Sequence, residues 1–208
     1  MTETPRAAAF LELGSATLGE SGARAMRARV HAVWPSARLA APAYPVQCSP
    51  GDNLAIHAAV ANAPAGSALV VDVGIEYERG YWGEVLTTAA QARGIAGLVI
   101  DGGVRDVDAL ERLQFPVFAA LVALPGATKV LPGAIGSPVS VGEVDVAAGD
   151  WVVGDRDGVA TVPGDVLDAV LAAGRARADK ERGLFEALRG GQTTLDLLAL
   201  DPSPIDGA

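Results

Sequence analysis

Residues 68–121 read ALVVDVGIEYERGYWGEVLTTAAQARGIAGLVIDGGVRDVDALERLQFPVFAAL, and this stretch decides the fold. Its three short apolar runs are at 68–74, 97–101 and 116–121. Because turn residues bound each run, they are typical of strands buried on both faces. Apolar residues at helical spacing lie between them, at 83–94 and 107–113. This alternation predicts an α/β fold with a parallel core and right-handed crossovers.

The segments on either side complete the predicted architecture. Further helices are predicted at 14–31, 54–63 and about 165–189. Short apolar runs within 137–163 are separated by turn residues, which indicates a β-rich second layer. We expect a single domain over residues 1–208, with a core of about 14–190 and loosely packed ends.

The composition argues against several classes of protein. The 208 residues carry a formal net charge of −9, and nucleic-acid binding needs clustered Lys and Arg, so we expect no nucleic-acid partner. No charge-free apolar run approaches the roughly 20 residues of a membrane span. The N-terminus has no basic segment followed by an apolar one. We therefore expect a cytoplasmic protein without a signal peptide.

Three residue types that often carry chemistry are scarce. The single cysteine, Cys48, excludes an intrachain disulfide and a cysteine zinc cluster, and we expect it to be a packed small residue. Two histidines, His31 and His57, exclude a three-histidine metal site within one chain. Neither lysine, Lys129 or Lys180, lies in an apolar strand that would lower its pKa for Schiff-base chemistry. A chain of this kind that handles a keto acid is expected to use a metal held by oxygen ligands.

Two glycine-bearing turns follow neighbouring predicted strands and form the candidate site. Ligands of open α/β sheets bind beyond the carboxyl ends of the strands. Gly83 would open a helix whose first amides have no intrahelical partner, so they can bind a substrate carboxylate. Arg105 offers paired donors for a carboxylate or keto oxygen. Asp106 is a hard oxygen ligand suited to Mg²⁺ or Mn²⁺.

Each of these residues also has a purely structural interpretation. Asp106 precedes a predicted helix and would make an ordinary N-cap. Glu84 in a first helical turn complements the helix dipole without any further function. Arg105 would pair with Asp101 or Asp108 on the surface. Their combination in adjacent turns nevertheless favours a binding site.

The segment WGEVLTTAAQARGIAGLVIDGGVRDVDALERLQFPVFA, at 82–119, closely resembles the RraA-like family. The likeness extends to SPGDNLAIHAA near position 50 and GDWVVGDRDGVATVP near 150, and covers roughly residues 45–190. The family includes 4-hydroxy-4-methyl-2-oxoglutarate aldolases and regulators that inhibit ribonuclease E. The resemblance implies a swivelling β/β/α-type sandwich that assembles as homotrimers or as hexamers, with sites between subunits.

The resemblance also implies a role for each candidate residue. The matching positions are a Gly-acidic-apolar-apolar loop and an Arg-Asp pair: Gly83, Glu84, Val85, Leu86, Arg105 and Asp106. Asp106 would hold the divalent metal. Arg105 and the amides of Val85 and Leu86 would hold pyruvate. Glu84 would order a water for proton transfer.

Three further side chains are candidate contributors. By the same resemblance, Glu181 would reach the site from a neighbouring subunit, although a helix glutamate between Lys180 and Arg182 is more often on a solvated face. His57 and Trp82 are candidate substrate contacts. A helix-face histidine and an interface tryptophan are more often structural.

These inferences predict a divalent-metal-dependent lyase that cleaves 4-hydroxy-4-methyl-2-oxoglutarate-type 2-oxo acids to pyruvate. Oxaloacetate decarboxylation is expected as a side activity, because both reactions form the same pyruvate enolate. The alternative is a non-catalytic binding protein similar to the ribonuclease E regulators, which typically lack the complete Arg-Asp pair. A methyltransferase ranks last, because DVGIEYERG after the first strand is a poor adenosyl-binding turn.

Overall fold

The computed structural model describes residues 5–205, which form an α/β fold built on a ten-stranded mixed sheet. The helices are α1 (Pro5–Gly19), α2 (Leu54–Asn62), α3 (Glu84–Ala92), α4 (Val107–Arg112), α5 (Leu167–Arg189) and α6 (Thr194–Leu198). The first strands are β1 (Arg24–Ala25), β2 (His31–Ala32), β3 (Leu39–Gln47), β4 (Ala68–Asp72), β5 (Gly80–Trp82) and β6 (Gly97–Val104). The others are β7 (Val117–Val122), β8 (Ala134–Ile135), β9 (Val139–Val141), β10 (Val144–Val146), β11 (Trp151–Asp155) and β12 (Gly158–Val162).

The main sheet has the strand order β1-β12-β11-β3-β4-β6-β7-β2, with β5 paired to β6 and β8 paired to β3. Strands β3, β4, β6 and β7 are mutually parallel, which confirms the predicted parallel core. The antiparallel hairpin of β11 and β12 joins β3 from the other side. Strand β2 also contacts β11 and β12, so the sheet curls into a half-barrel. A separate hairpin of β9 and β10 packs against β3 and β4.

The core of the molecule lies along the central strands. Every residue of β6 is buried, as expected of a parallel strand covered on both faces. A second hydrophobic cluster lies between α1, α5 and the β11–β12 hairpin, where the rings of Phe10 and Trp151 are 5.4 Å apart. No helix within residues 5–205 has the length and apolar character needed to cross a bilayer.

The predicted helix over 14–31 is wrong. Helix α1 begins at Pro5, ends at Gly19 and is kinked at Gly14, and two short strands follow. Gly14 and Gly22 have φ angles of 78° and 107°, which interrupt a right-handed helix. The N-terminal end is also better packed than expected, because Phe10 is completely buried. Hydrogen bonding of β1 to β12 is a long-range contact that local periodicity does not show.

Strand β3 was missed because its sequence, LAAPAYPVQ, contains two prolines, which are unusual in a central strand. It changes partner along its length: residues 39–42 pair with β11 in antiparallel fashion, and residues 43–47 pair with β4 in parallel. Residues 144–146, in a segment that was predicted to be a turn, form strand β10 because they pair with the neighbouring β9.

Candidate active site

The carboxyl ends of β5 and β6 meet at a cleft of about 160 Å³. Arg105 N donates to Trp82 O at 2.9 Å, which holds the two turns after these strands together. The lining comes from α2, β5, the start of α3, the turn after β6 and the loop after β7: Asn53, His57, Gly80, Tyr81, Trp82, Gly83, Val85, Leu86, Arg105, Asp106, Gly126, Ala127 and Lys129. The structure therefore brings five of the predicted site residues to one cleft.

Asp106 has an unusual backbone conformation and an unexpected partner. Its φ of 58° and ψ of 38° lie in the left-handed region, which residues with a side chain rarely adopt. Its side chain makes no capping bond to α4. Instead, Oδ2 accepts a hydrogen bond of 3.0 Å from Glu84 N at the start of α3. The carboxylate thus caps the neighbouring helix, and Oδ1 has no partner within residues 5–205, which leaves it for a ligand.

Gly83 allows the close approach of Asp106 to α3. A Cβ at position 83 would clash with Asp106 Oδ2 and would lie 3.2 Å from Arg105 Cγ. Gly80 is similarly required, because a Cβ there would lie 2.9 Å from Arg105 Cδ. The two glycines therefore form the cradle against which the Arg-Asp pair lies.

The first turn of α3 presents free amides to the cleft. Its first helical hydrogen bond runs from Thr87 N to Gly83 O, and the amide of Glu84 is taken by Asp106. In the part of the chain that the structure describes, the amides of Val85 and Leu86 have no acceptor. Together with the helix dipole they form a site for an anion.

The guanidinium of Arg105 is available to a ligand. Asp101, one of its expected surface partners, instead accepts two hydrogen bonds from Arg29, at 2.9 and 2.8 Å, and one from Gly142 N. The nearest carboxylate to Arg105 is that of Asp106, with Nε 4.0 Å from Oδ2. Among residues 5–205, Arg105 donates no side-chain hydrogen bond.

Glu84 lies at the rim of the cleft. Its carboxylate forms a 2.6 Å ion pair with Arg112 of α4, and it does not line the cleft. Within one chain, the carboxylate of Glu84 is therefore paired with Arg112. A role in ordering water stays a prediction.

Asn53, which was not among the predicted site residues, lies in the wall of the cleft. It is 5 % exposed, and its Nδ2 donates to Tyr81 O at 2.8 Å. Its Oδ1 and the Nε2 of His57 are buried without a hydrogen-bond partner. Burial and the nearby Lys129 lower the pKa of His57, which favours the neutral imidazole. Trp82 stacks on Phe115 and donates from Nε1 to Thr87 Oγ1 at 2.7 Å, and it also lines the cleft, so its contact with a substrate stays a prediction.

Asp52 fastens the loop after β7 to the start of α2. Its Oδ1 accepts from the amide of Leu54, the first residue of α2, at 2.8 Å. Its Oδ2 accepts from Val130 N, Leu131 N and the Thr128 hydroxyl, at 2.6, 3.0 and 2.7 Å. Burial raises the pKa of this carboxyl, but these donors lower it by more, so the net pKa lies well below its ordinary value.

Residues 14–161 match the model of RraA-like proteins, described as Aldolase/RraA. The chain belongs to the RraA-like family. It is 36% identical over 145 residues to a Halalkalibacterium halodurans protein provisionally named 4-hydroxy-4-methyl-2-oxoglutarate aldolase, an alignment that covers 69% of each chain.

Solved structures of RraA-like proteins have the same fold. An uncharacterized Pseudomonas syringae pv. tomato protein superposes with a TM-score of 0.77, at 26% identity, over 93% of this chain and 94% of that one. The RNA-processing inhibitor RraA of Thermus thermophilis has a TM-score of 0.62, at 25% identity, over 68% of this chain and 86% of its own. The family thus includes proteins named as enzymes and as regulators.

Glu181 lies outside the cleft of its own chain. It is on α5, forms a 2.9 Å ion pair with Arg177, and lines a shallow groove of about 540 Å³ beside α1. This groove is larger than the Arg105 cleft, but no arginine is among its lining residues. The expected contribution of Glu181 to a neighbouring RraA-like subunit stays a prediction.

The donor set of the cleft fits a weakly held divalent cation. No group of three or more His, Cys, Asp or Glu side chains within residues 5–205 is placed to bind a metal, so a closed structural site is absent there. Mg²⁺ needs only one or two carboxylates when waters and the substrate supply the other ligands. The unpaired Oδ1 of Asp106, held in place through Oδ2, is the protein oxygen that suits this role. Cys48 is buried, which raises the pKa of its thiol to about 12 and makes it a poor metal ligand.

Proposed function

We propose that this RraA-like protein is a divalent-metal-dependent lyase that cleaves 4-hydroxy-4-methyl-2-oxoglutarate-type 2-oxo acids to pyruvate by a retro-aldol reaction. Decarboxylation of oxaloacetate is proposed as its side activity. One observation carries the proposal: the free Oδ1 of Asp106, the free guanidinium of Arg105 and two free amides of α3 line a single small cleft. The named relatives support the same class of reaction.

The cleft residues bind the 2-oxo acid end of the substrate. The amides of Val85 and Leu86 bind its carboxylate at the positive end of α3. Arg105 donates to the carboxylate and to the keto oxygen. Asp106 is the residue that would hold the cation, which when bound supplies a Lewis acid beside the keto oxygen.

In the cleavage step, a water near Glu84 accepts the proton of the C4 hydroxyl. The C3–C4 bond then breaks, C4 becomes a carbonyl carbon, and the electron pair passes into the enolate of pyruvate. Arg105 stabilises the negative charge on the enolate oxygen as a fixed donor. Protonation at C3 gives pyruvate, so 4-hydroxy-4-methyl-2-oxoglutarate yields two pyruvate molecules.

Oxaloacetate reaches the same enolate by another bond cleavage. Its C3–C4 bond breaks with release of carbon dioxide, and no hydroxyl proton needs to be removed. The groups that stabilise the enolate are the same in both reactions. A site that performs the retro-aldol reaction is therefore expected to decarboxylate oxaloacetate as well.

We also propose that the protein acts as a homotrimer or a pair of trimers. In this arrangement Glu181 of one subunit approaches the cleft of another. The location of Glu181 outside its own cleft is compatible with such a contribution.

The deciding experiment measures pyruvate by coupling to lactate dehydrogenase, with each substrate, in the presence of Mg²⁺, Mn²⁺ or a chelator. The variant is Asp106→Asn, which keeps an acceptor for the amide of Glu84 but loses the charge. We expect it to reduce kcat/KM by at least about 100-fold with little change in Tm. The matched control is Asp108→Asn, an exposed carboxylate of α4 outside the cleft.

Two results would contradict the proposal. One is the lack of metal-dependent pyruvate release from either substrate by the wild-type protein. The other is an equal effect of Asp106→Asn and Asp108→Asn. The structural likeness to the RNA-processing inhibitor RraA favours a second candidate, a regulator that binds a ribonuclease. Inhibition of ribonuclease E that survives Asp106→Asn, without pyruvate release, would support it.

A further inference from the structure

The α2 side of the cleft carries two unsatisfied polar atoms, Asn53 Oδ1 and His57 Nε2. The orientation of the Asn53 amide is set by its environment, because its nitrogen donates to Tyr81 O at 2.8 Å. Its oxygen must therefore point away from that carbonyl. The amide of His57 donates to Asn53 O at 3.2 Å, so both residues belong to the first turn of α2.

An unpaired acceptor in this position is costly. Asn53 is 5 % exposed, and a buried polar group without a partner loses its hydrogen bond to water without gaining another. Native proteins rarely retain such groups unless a ligand, an ordered water or an ion pairs them. Because both atoms belong to residues that line the cleft, the ligand expected there is the substrate.

The chemistry of the cleft defines which substrate group fits. Arg105 and the α3 amides are donors, so they take the carboxylate and the keto oxygen. Asn53 Oδ1 can only accept, so the group beside it must donate, which a carboxylate cannot do. A hydroxyl donates one hydrogen bond and accepts others. On binding, its O–H donates to Asn53 Oδ1, and it rotates to the water near Glu84 for the cleavage step, while His57 Nε2 can serve the hydroxyl in either direction.

We propose that Asn53 and His57 bind the C4 hydroxyl of the substrate and so select 4-hydroxy-2-oxo acids over oxaloacetate. This inference rests on the proposed lyase function and assigns it a specificity subsite. Both atoms are shielded from solvent. A substrate hydroxyl can therefore reach them only after a neighbouring side chain of the cleft wall has moved. Lys129 is close to His57 and is held only by a 3.3 Å bond to Ala127 O, so its side chain can shift.

The first test compares the two reactions. His57→Leu removes Nε2 and keeps an apolar side chain of similar size, whereas His57→Gln restores a polar atom near that position. We expect His57→Leu to lower the ratio of retro-aldol to decarboxylase kcat/KM by about 10-fold, because one paired group is lost. His57→Gln should recover most of the ratio, and Asn53→Ala, checked for folding by its Tm, should lower it too. An unchanged ratio in His57→Leu would overturn the proposal.

The second test works without turnover and uses the fact that the chain has two histidines. Two ligands are added separately to ¹⁵N-labelled protein in the presence of Mg²⁺. Citramalate carries a tertiary hydroxyl and lacks a keto group, and methylsuccinate is the same molecule without the hydroxyl. We expect citramalate alone to shift the Nε2 resonance of His57. His31, which is exposed and contacts Arg29 O at 2.8 Å, should not respond. Equal responses to both ligands, or none, would contradict the hydroxyl subsite.

The two tests separate the two claims. Pyruvate release by the wild-type protein with no change of ratio in His57→Leu would retain the lyase and remove the subsite. A specific shift of His57 with citramalate, without pyruvate release from either substrate, would retain the subsite and remove the lyase.

Discussion

At the scale of single residues, the backbone conformation of Asp106 determines where its carboxylate lies. A left-handed conformation at a residue with a side chain costs on the order of 1–3 kcal/mol and persists where the surroundings enforce it. Here the bonds of Arg105 N to Trp82 O and of Glu84 N to Asp106 Oδ2 hold the turn in place. If these two hydrogen bonds were lost, the backbone of Asp106 would leave its left-handed conformation. The position of Asp106 Oδ1 therefore depends on them.

Gly83→Ala is predicted to damage activity more than stability. The φ of Gly83 is −169°, which alanine can adopt, but the added Cβ would displace the Asp106 carboxylate. A displacement of this kind is expected to reduce kcat/KM by about 100-fold. The coupled pyruvate assay and Tm measure the two effects. Gly19→Ala is the control, because its Cβ would meet no atom within 4 Å. Equal activity of the two variants would show that the Asp106 carboxylate does not require a glycine at position 83.

Glu84→Gln separates the two interpretations of this rim residue. If Glu84 orders the water that accepts the hydroxyl proton, kcat should fall by roughly 100-fold. Arg112→Ala removes the ion pair of Glu84 but keeps its carboxylate, so it should affect stability by at most about 1 kcal/mol and leave kcat near that of the wild type. Measuring kcat for both variants in steady state distinguishes the two interpretations. If they lower kcat by the same factor, Glu84 acts only through Arg112.

At the scale of elements, Asp52 connects the start of α2 to the loop that carries Lys129. Asn53 and His57 belong to the same helix start, so this carboxylate positions both walls of the cleft. Its partners are backbone amides and one hydroxyl rather than cations. The connection therefore depends on the ionised form of one buried side chain.

Asp52→Asn is predicted to lower the free energy of unfolding by about 1–3 kcal/mol near neutral pH, because an amide nitrogen would face amide donors. The folded-state pKa of Asp52 lies below its ordinary value of 3.8, so its ionisation stabilises the fold above that pH. This contribution is lost as pH falls toward the folded-state pKa. The difference between wild type and variant should therefore narrow on acidification.

Urea unfolding at about pH 7 and about pH 3 measures this difference. The control is Asp145→Asn, an exposed carboxylate of β10, which should change stability by no more than about 0.5 kcal/mol. A constant difference between wild type and Asp52→Asn at both pH values would show that ionisation of Asp52 does not stabilise the fold.

At the scale of the whole molecule, the segments that form the walls of the cleft carry exposed apolar side chains. Val85, Leu124 and Val130 are 79 %, 82 % and 78 % exposed, and they belong to the segments that form its walls. Clustered exposed apolar groups are typical of surfaces that bind another protein. They support the proposed contact between subunits at the cleft.

Wild-type protein is predicted to sediment as an oligomer, with 63.3 kDa expected for a trimer because 3 × 21.1 kDa equals that mass. Leu124→Asp should shift it toward the monomer and reduce pyruvate release, since the neighbour's residues would be lost. Leu198→Asp in α6 is the control at a 49 % exposed position. Analytical ultracentrifugation with activity measurements tests this. A fully active wild-type monomer would exclude a site shared between subunits.

The sequence by itself determined the parallel core and the two turns of the site. Apolar periodicity is a local property, so the strands β4, β6 and β7 and the helices α2 to α5 could be predicted from it. The glycine-led loop at Gly83 and the pair at Arg105 and Asp106 were placed at strand ends for the same reason. Prolines in β3 and glycines near α1 concealed elements whose hydrogen-bond partners are distant in sequence.

Only the tertiary structure decided how the site residues are paired. Asp106 caps α3 instead of its own helix, and Arg105 is free because Arg29 takes Asp101 from 72 positions away. Asn53 reaches the cleft because its amide bonds Tyr81. These contacts depend on which strand ends and helix starts pack together, and spacing along the chain does not encode that packing.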